Sequence, residues 1–247
     1  MLTETRHMEI LKLLKNKGSV TIQELKEYLD ASESTIRRDL NEMHDKGELV
    51  KVFGGAVLNQ ASMETREESV SEKGALHRDQ KLVIAQQAAK LIEEGDFVYL
   101  DAGTTTGLMI PFIEKSDVTF VTNAVAHALM LAEAGHKVIM IGGELKSVTE
   151  AIVGEEAYAA LQKYNFTKGF FGVNGIDRKA GFTTPDVGEA RIKRCAMQNC
   201  KCCYVLSDSS KFNRISPVTF GDIEDAVVLT DEIPEIFSGY TNIKKVR

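Results

Sequence analysis

Hydrophobic positions change their period twice along the chain, and the changes divide it. Over the first part, apolar side chains recur at three and four residues. Ile10, Leu11, Leu13 and Leu14 repeat at helical spacing, and Gly18 closes that helix. Thr21 followed by Glu24 has the spacing of a capping box and opens a second helix with Ile22, Leu25 and Leu29 inward. Asp30 and Ala31 make a tight connection to a third helix. Ser32 stands at its N-cap, Ile36, Leu40 and Met43 form its buried stripe, and Gly47 ends it. From Glu48 to Val57 the period shortens to that of a strand, interrupted by Gly54 and Gly55, which predicts a two-stranded wing.

Residues 58–77 are polar and charged with few large apolar groups, as a linker requires. A helix is expected from Arg78, carrying Leu82, Ile84, Ala85, Ala88, Ala89 and Ile92 before Gly95. Beyond it the pattern alternates: FVYLD, VTFVT, KVIMIGG, GFFGVNG, CCYVLSD and AVVLTD are strand-like runs, mostly separated by amphipathic stretches of helical length. Such alternation implies a mostly parallel sheet covered by helices, with ligands taken at the carboxyl ends of the strands. The expected division is therefore a winged helix-turn-helix over 1–57, a linker over 58–77 and a larger Rossmann-like α/β domain over 78–247.

Two positions in this pattern carry chemistry. Winding the third helix at about 100° per residue with its apolar stripe inward puts Ser34, Arg38 and Asn41 on the outer face, with Thr35 and Arg37 on the flanks. Arginine grips a guanine edge or a phosphate, asparagine reads adenine, and hydroxyls near a helix start bind phosphate, so Ser32, Ser34, Thr35, Arg37, Arg38 and Asn41 suit double-stranded DNA. Lys51 on the wing is a candidate backbone contact. Asp39 is assigned a structural role, because phosphates would repel a carboxylate turned toward them. The bland alternative is a charged solvent face in which Arg38 pairs with Asp39 or Glu42. Second, the loop Asp101 to Thr106, DAGTTT, follows a strand and opens a helix. Gly103 allows close backbone approach, and the hydroxyls of Thr104, Thr105 and Thr106 suit a phosphate or sugar hydroxyls, although hydroxyl-rich helix caps are also common without a ligand.

Composition narrows the classes without choosing among them. The 43% hydrophobic and 27% charged content is that of a soluble globular protein, and no apolar run approaches the roughly 18 residues of a membrane span. The amino end lacks a basic segment followed by an apolar one, so a cytoplasmic protein is expected. Net charge is −6, and residues 1–57 hold nine Lys and Arg against ten Asp and Glu. Attraction to DNA must therefore come from where the cations stand rather than from their number. Cys195, Cys200, Cys202 and Cys203 crowd together, but the spacing lacks paired CxxC motifs and no histidine is near. Reduced thiols are expected there, with no metal and no cofactor.

The stretch from Arg6 to Leu40 resembles the signature of the DeoR family of bacterial regulators. Arg6, Ile10 and Leu14 stand in the first-helix positions, and ASESTIRRDL, Ala31 to Leu40, fits the recognition-helix pattern. KVFGGAV resembles the family wing. DAGTTT, VTNA, IGG, FGVNGID, GFTTPDVGEA and DSSK occur in the order of the family's sensor domain, which is similar in fold to ribose-5-phosphate isomerase. The resemblance implies a repressor of a carbohydrate operon, most similar to the fructose-operon repressors, answering to a phosphorylated sugar such as fructose 1-phosphate. It implies a pocket formed by Asp101, Gly103, Thr104, Thr105, Thr106, Thr122, Asn123, Gly142, Gly143, Asn174, Asp177, Thr184, Glu189 and Lys211, with Lys211 as the phosphate cation. A single helix-turn-helix contacts few bases, so a homo-oligomer, dimer or tetramer, is expected.

Two rival readings follow from the same residues. Glu189 resembles the isomerase base in position, which raises a sugar-phosphate isomerase with an accessory DNA-binding head. The electrophilic half of that chemistry is only partly echoed at Lys179, Ala180 and Gly181, and a carboxylate can equally bind sugar hydroxyls. A scaffold with a winged-helix head would leave DAGTTT and DSSK without a purpose.

Overall fold

The computed structural model describes residues 2–46, 48–58 and 69–246, and the chain divides into two compact units. One takes in the chain up to residue 62 together with Pro234–Gly239, and the other holds the remainder.

In the first unit α1 (Thr3–Lys17), α2 (Ile22–Leu29) and α3 (Glu33–Asp45) enclose a core of Ile10, Leu14, Val20, Ile22, Leu25, Leu29, Ile36, Leu40, Met43, Leu49 and Ala56. Fully burying a side chain of this kind contributes roughly 1.5–3 kcal/mol, so this cluster holds the unit together. Gly18 ends α1 at φ +79°, Thr21 and Glu24 form the reciprocal capping box of α2, and the Ser32 hydroxyl accepts from the Thr35 N–H to cap α3. Gly47, expected to end the third helix, lies outside the described residues, and Lys46 stands at the C-cap. The hairpin of β2 (Leu49–Val52) and β3 (Gly55–Leu58) is not the isolated two-stranded wing expected. β1 (Ser19–Thr21) pairs antiparallel with β3 and makes a three-stranded sheet, order β1-β3-β2. Three residues between two helices carry too short a pattern to announce a strand. Gly55 is required for this pairing, because a Cβ there would stand 2.0 Å from the Val20 carbonyl oxygen.

The second unit does not begin at Arg78. Within the stretch expected to be linker, Ser69 caps α4 (Val70–Ala75) in a capping box with Glu72, while residues 59–68 lie outside the described residues. α5 (Arg78–Ala89) follows. The sheet then runs β4 (Phe97–Leu100), β5 (Thr119–Thr122), β6 (Lys137–Met140), β9 (Phe166–Gly172), β12 (Cys200–Leu206), β14 (Val227–Thr230) and β15 (Ile243–Lys245), every pair parallel, in the order β15-β14-β12-β9-β4-β5-β6. Short additions are the single turn α6 (Thr104–Gly107), the β7 (Glu144–Leu145) and β8 (Ile152–Val153) pair, and a sheet of β10 (Gly175–Asp177), β11 (Gly181–Thr184) and β13 (Val218–Gly221). Helices α7 (Val125–Glu133), α8 (Glu155–Leu161) and α9 (Val187–Gln198) complete the α/β fold. The core packs Ile84, Ala85 and Ala88 of α5 against Val98, Leu100, Phe120, Phe170 and Leu206 of the sheet.

The six apolar runs are six of these strands, and β15 is the one the pattern missed: only Ile243 of its three residues is buried. The four cysteine thiols are free, with Cys195 on α9 and the others on β12. No helix among the described residues is long and apolar enough to cross a membrane. Chain order reverses at the β4–β9 pair, since β5 and β6 lie to one side and β9 and β12 to the other. The loops leaving β4 and β9 therefore diverge and open a crevice at their carboxyl ends.

Candidate functional site

The outer face of α3 is built by the pairing behind it. Asp39, the one charged residue on the inner side, is buried and receives the Arg6 guanidinium through two bonds, Nη2 to Oδ1 at 2.9 Å and Nε to Oδ2. Burial alone would raise the Asp39 carboxyl, but Arg6, with His7 beside it, outweighs burial and holds the group below its ordinary value. The pair ties α1 to α3 and fixes the rotation of the outer face. Ser32, Ser34, Arg37, Arg38 and Asn41 are exposed there and Thr35 is half-buried. The Ser32, Ser34 and Thr35 hydroxyls join in a short network at 2.8–2.9 Å.

The two arginines differ. Arg37 is held by Glu33 one turn earlier at 2.7 Å, whereas Arg38 forms no ion pair among the described residues. The Asp39 or Glu42 partner considered for Arg38 is occupied elsewhere, Asp39 by Arg6 and Glu42 by Lys46. On the wing, Lys51 Nζ donates to Asn41 Oδ1 at 2.5 Å, and His44 Nδ1 lies 3.2 Å from the Leu49 carbonyl oxygen. Lys51 thus joins the wing to the polar face of α3, on which the exposed Arg38 guanidinium has no ion-pair partner among the described residues.

In the second unit a cavity of about 330 Å³ opens at the β4–β9 crevice. Gly103, Thr104, Thr105, Asn174, Glu189 and Lys211 line it, and so do Lys73, Arg78, Lys81, His127, Lys193 and Asp208. Cations exceed carboxylates on this wall, which favours an anion. The half-buried Lys211 side chain makes no hydrogen bond or ion pair among the described residues. Asp208 organises its turn, accepting from the Ser210 N–H at 3.1 Å and from the Ser210 hydroxyl, while Asp231 accepts from the Ser209 N–H at 2.7 Å.

Other expected residues stand behind the wall rather than on it. Asp101 is buried, and Oδ2 accepts from Lys193 Nζ and from the Gly172 N–H at 3.0 Å, locking the β4 exit to the end of β9. Asn123 Oδ1 accepts from the Tyr99 hydroxyl and the Ala102 N–H, both at 3.0 Å. The Thr106 hydroxyl is committed to the Asp101 and Gly103 carbonyls at 2.7 and 2.8 Å, and that of Thr122 to the Leu100 carbonyl at 2.6 Å. Thr184 donates to Asn174 Oδ1 at 3.2 Å. Asp177 Oδ1 accepts from the Lys179 and Ala180 N–H groups in the β10–β11 turn. Gly142 and Gly143 also lie off the cavity; Gly143, at φ +147°, has the Val153 carbonyl oxygen 2.5 Å from where a Cβ would sit. Expecting all these residues around one pocket overlooked that a strand-end loop needs internal bonds before it can offer any to a ligand.

Lys81 and Lys193 were missed although their helices announced them. Lys81 precedes Ile84, Ala85 and Ala88 on the buried stripe of α5, and Lys193 lies between Glu189 and Ala196 on that of α9, so each is a charge inside an apolar face. Lys81 Nζ donates to the Lys73 carbonyl and, at 3.4 Å, to the Thr104 hydroxyl. Glu189 accepts from the Thr149 hydroxyl at 2.5 Å and Lys146 Nζ at 3.2 Å. Burial works to raise its carboxyl, but Lys193, Thr149 and Lys146 together leave it below the ordinary range. A carboxylate so held is a poor proton acceptor. His127, walled in beside Gly107, is pushed down to about 4 by burial and is neutral at neutral pH.

Residues 6–62 match the DeoR-like helix-turn-helix domain and residues 76–232 the DeoR C terminal sensor domain. The chain is 43% identical over 242 residues to the "uncharacterized HTH-type transcriptional regulator FruR" of Bacillus subtilis (strain 168), covering 97% of this chain and 96% of that protein. It is 36% identical over 232 residues to the lactose phosphotransferase system repressor of Staphylococcus aureus (strain NCTC 8325 / PS 47), covering 92% of each. A partial likeness to ribose 5-phosphate isomerase A of Methanocaldococcus jannaschii spans 55% of this chain and 54% of that one, at 18% identity and a TM-score of 0.42. With both halves matched and near-complete coverage of a relative at 43% identity, this chain belongs to the DeoR family of helix-turn-helix transcriptional regulators.

Proposed function

We propose that the chain is a DNA-binding repressor of a carbohydrate operon, probed by a phosphorylated sugar in the cavity of its second unit and acting in the cytoplasm as a homo-oligomer. The observation that carries the effector reading is the cavity wall, where Lys73, Arg78, Lys81, Lys193 and Lys211 meet at strand tips around room for a small anion. Lys211, with no partner among the described residues, is assigned the phosphate. Glu189 and Asn174 offer acceptors and donors to sugar hydroxyls. The likeness to FruR favours a fructose phosphate, with fructose 1-phosphate first.

The effector acts by linkage: it binds one arrangement of the assembly better than another and so shifts the affinity for operator DNA. Turnover is disfavoured, because Glu189 is held ionised by its neighbours rather than raised toward the working range of a base. The test is thermal shift against phosphorylated and unphosphorylated sugars, followed by operator binding with and without the hit. A phosphorylated sugar should raise the melting temperature in proportion to its concentration over its dissociation constant and change operator affinity. Equal shifts with the unphosphorylated sugar, or product formation, would overturn the reading.

A further inference from the structure

The wing ends in a feature that the polar surface of α3 does not use. Between Val52 and Gly55, which pair across the hairpin, the chain turns through Phe53 and Gly54. Phe53 is 109% exposed, so it adds nothing to the core of its unit, and Val52 beside it is 41% exposed. A ring left in water at a hairpin tip forfeits the stabilisation that burial would give it. The tip is nevertheless held firmly. Gly54, at φ +83°, supplies the turn, its carbonyl accepts from the Ile22 N–H at 2.8 Å, and Gly55 fits against Val20 where no other residue would. The ring is thus projected from a backbone ordered in advance, which lowers the cost of using it in a complex.

The position of the tip indicates the partner. Leu49 stands beside His44 and Lys51 Nζ touches Asn41, so β2 runs along the α3 face and continues from Lys51 through Val52 to the tip. At about 3.3 Å per residue, Phe53 stands roughly 7 Å beyond Lys51 along the strand. With α3 in a major groove and Lys51 at the bordering phosphates, a reach of that length is enough for the tip to meet the neighbouring minor groove, about 6 Å wide. Nothing from Val52 to Gly55 is charged, so phosphate attraction does not draw the tip. Gly54 and Gly55 carry no side chains to obstruct a narrow groove.

We propose that Phe53 is an apolar wedge that enters the minor groove flanking the base-read segment and partly unstacks a base step there. Apolar side chains inserted in this way kink the duplex and favour easily unstacked steps, so Phe53 adds a preference at base pairs that α3 does not touch. This role rests on DNA binding by the first unit, not on the effector.

The test uses the full chain and a duplex that the wild-type chain selects from a random-sequence library, with 2-aminopurine placed at the flanking step. Wild-type binding should raise the 2-aminopurine fluorescence. Phe53→Ala should bind about tenfold more weakly, the size of one aromatic-base contact, with the fluorescence rise lost and the salt slope unchanged. Phe53→Leu should retain most of both signals. Lys51→Ala should instead lower the salt slope by about 0.9 and keep the fluorescence rise. Because Phe53 touches no core residue, its variants should melt as wild type. Wild-type affinity for Phe53→Ala, or an unchanged fluorescence rise, would overturn the proposal. So would a lower sedimentation mass of Phe53→Ala without DNA, which would assign the ring to a contact between copies. A wild-type chain that selects no duplex would overturn DNA binding as well.

Discussion

On the outer face of α3 the side chains assigned to DNA stand in water: Arg38 is exposed without an ion-pair partner among the described residues, and Arg37 is held only by an exposed Glu33. In the cavity of the second unit two of the lysines are buried and two, Lys73 and Lys211, half-buried. Lys81 and Lys193 are each 4% exposed, and Lys193 faces Asp101, which is 1% exposed. The first surface meets a partner that brings about one negative charge per 1.7 Å of its own axis, so its cations need only be held outward. The second, on the reading proposed above, recognises one small anion, and Lys193 is positioned by the Asp101 carboxylate before any ligand arrives. Mutations should therefore act differently in the two places, on affinity alone in the first and on stability in the second.

The largest effect is expected at the buried pair. Lys193→Met leaves Asp101 without its cation and should destabilise the second unit by about 3–5 kcal/mol, read by calorimetry, and adding Asp101→Asn should restore part of the loss. If Lys193→Met melted as wild type, the contrast between the two units would be gone.

Next comes His127. Its folded value of about 4 lies below the ordinary 6.5, so between those limits the unfolded chain binds a proton that the native one does not. Stability should fall as pH drops from about 6.5 to about 4, by roughly 3 kcal/mol in all. Urea titrations at pH 7 and pH 4.5 on wild type and His127→Gln should show this component only in the wild type.

Arg38→Ala should weaken binding to a selected duplex by about tenfold or more while the melting temperature stays the same. The smallest effect belongs to Arg37→Ala. Glu33 already neutralises that guanidinium, so its removal should change affinity less than the Arg38 substitution does and leave stability unmoved. An Arg37 effect exceeding that of Arg38 would reverse the assignment on this face.

The contrast also explains what periodicity could deliver. The outward set Ser34, Arg38 and Asn41 follows from winding α3 about Ile36, Leu40 and Met43, because an amphipathic helix has one sensible rotation once its apolar stripe is known. Most of the six strands were legible for a similar reason, since strands buried on both faces read as continuous apolar runs, while β6 shows such a run at the sheet edge with Lys137 and Met140 exposed. The pocket was legible only in outline. DAGTTT and DSSK marked the right strand ends, but Thr106 spends its hydroxyl on its own loop and Asp101 lies behind the wall, a matter of which atoms meet across residues 71 and 92 apart.

By itself the sequence determined the helix-turn-helix, the α/β alternation and the strand tips where the cavity opens, because caps, periods and turn residues act within a few positions of one another. Only the tertiary structure decided which arginine stays unpaired, that Lys81 and Lys193 belong to the cavity, and that β1 joins the wing. Those outcomes depend on distances between elements remote in the chain, and the energy of a charge is set by whatever partner the fold brings within a few ångströms of it.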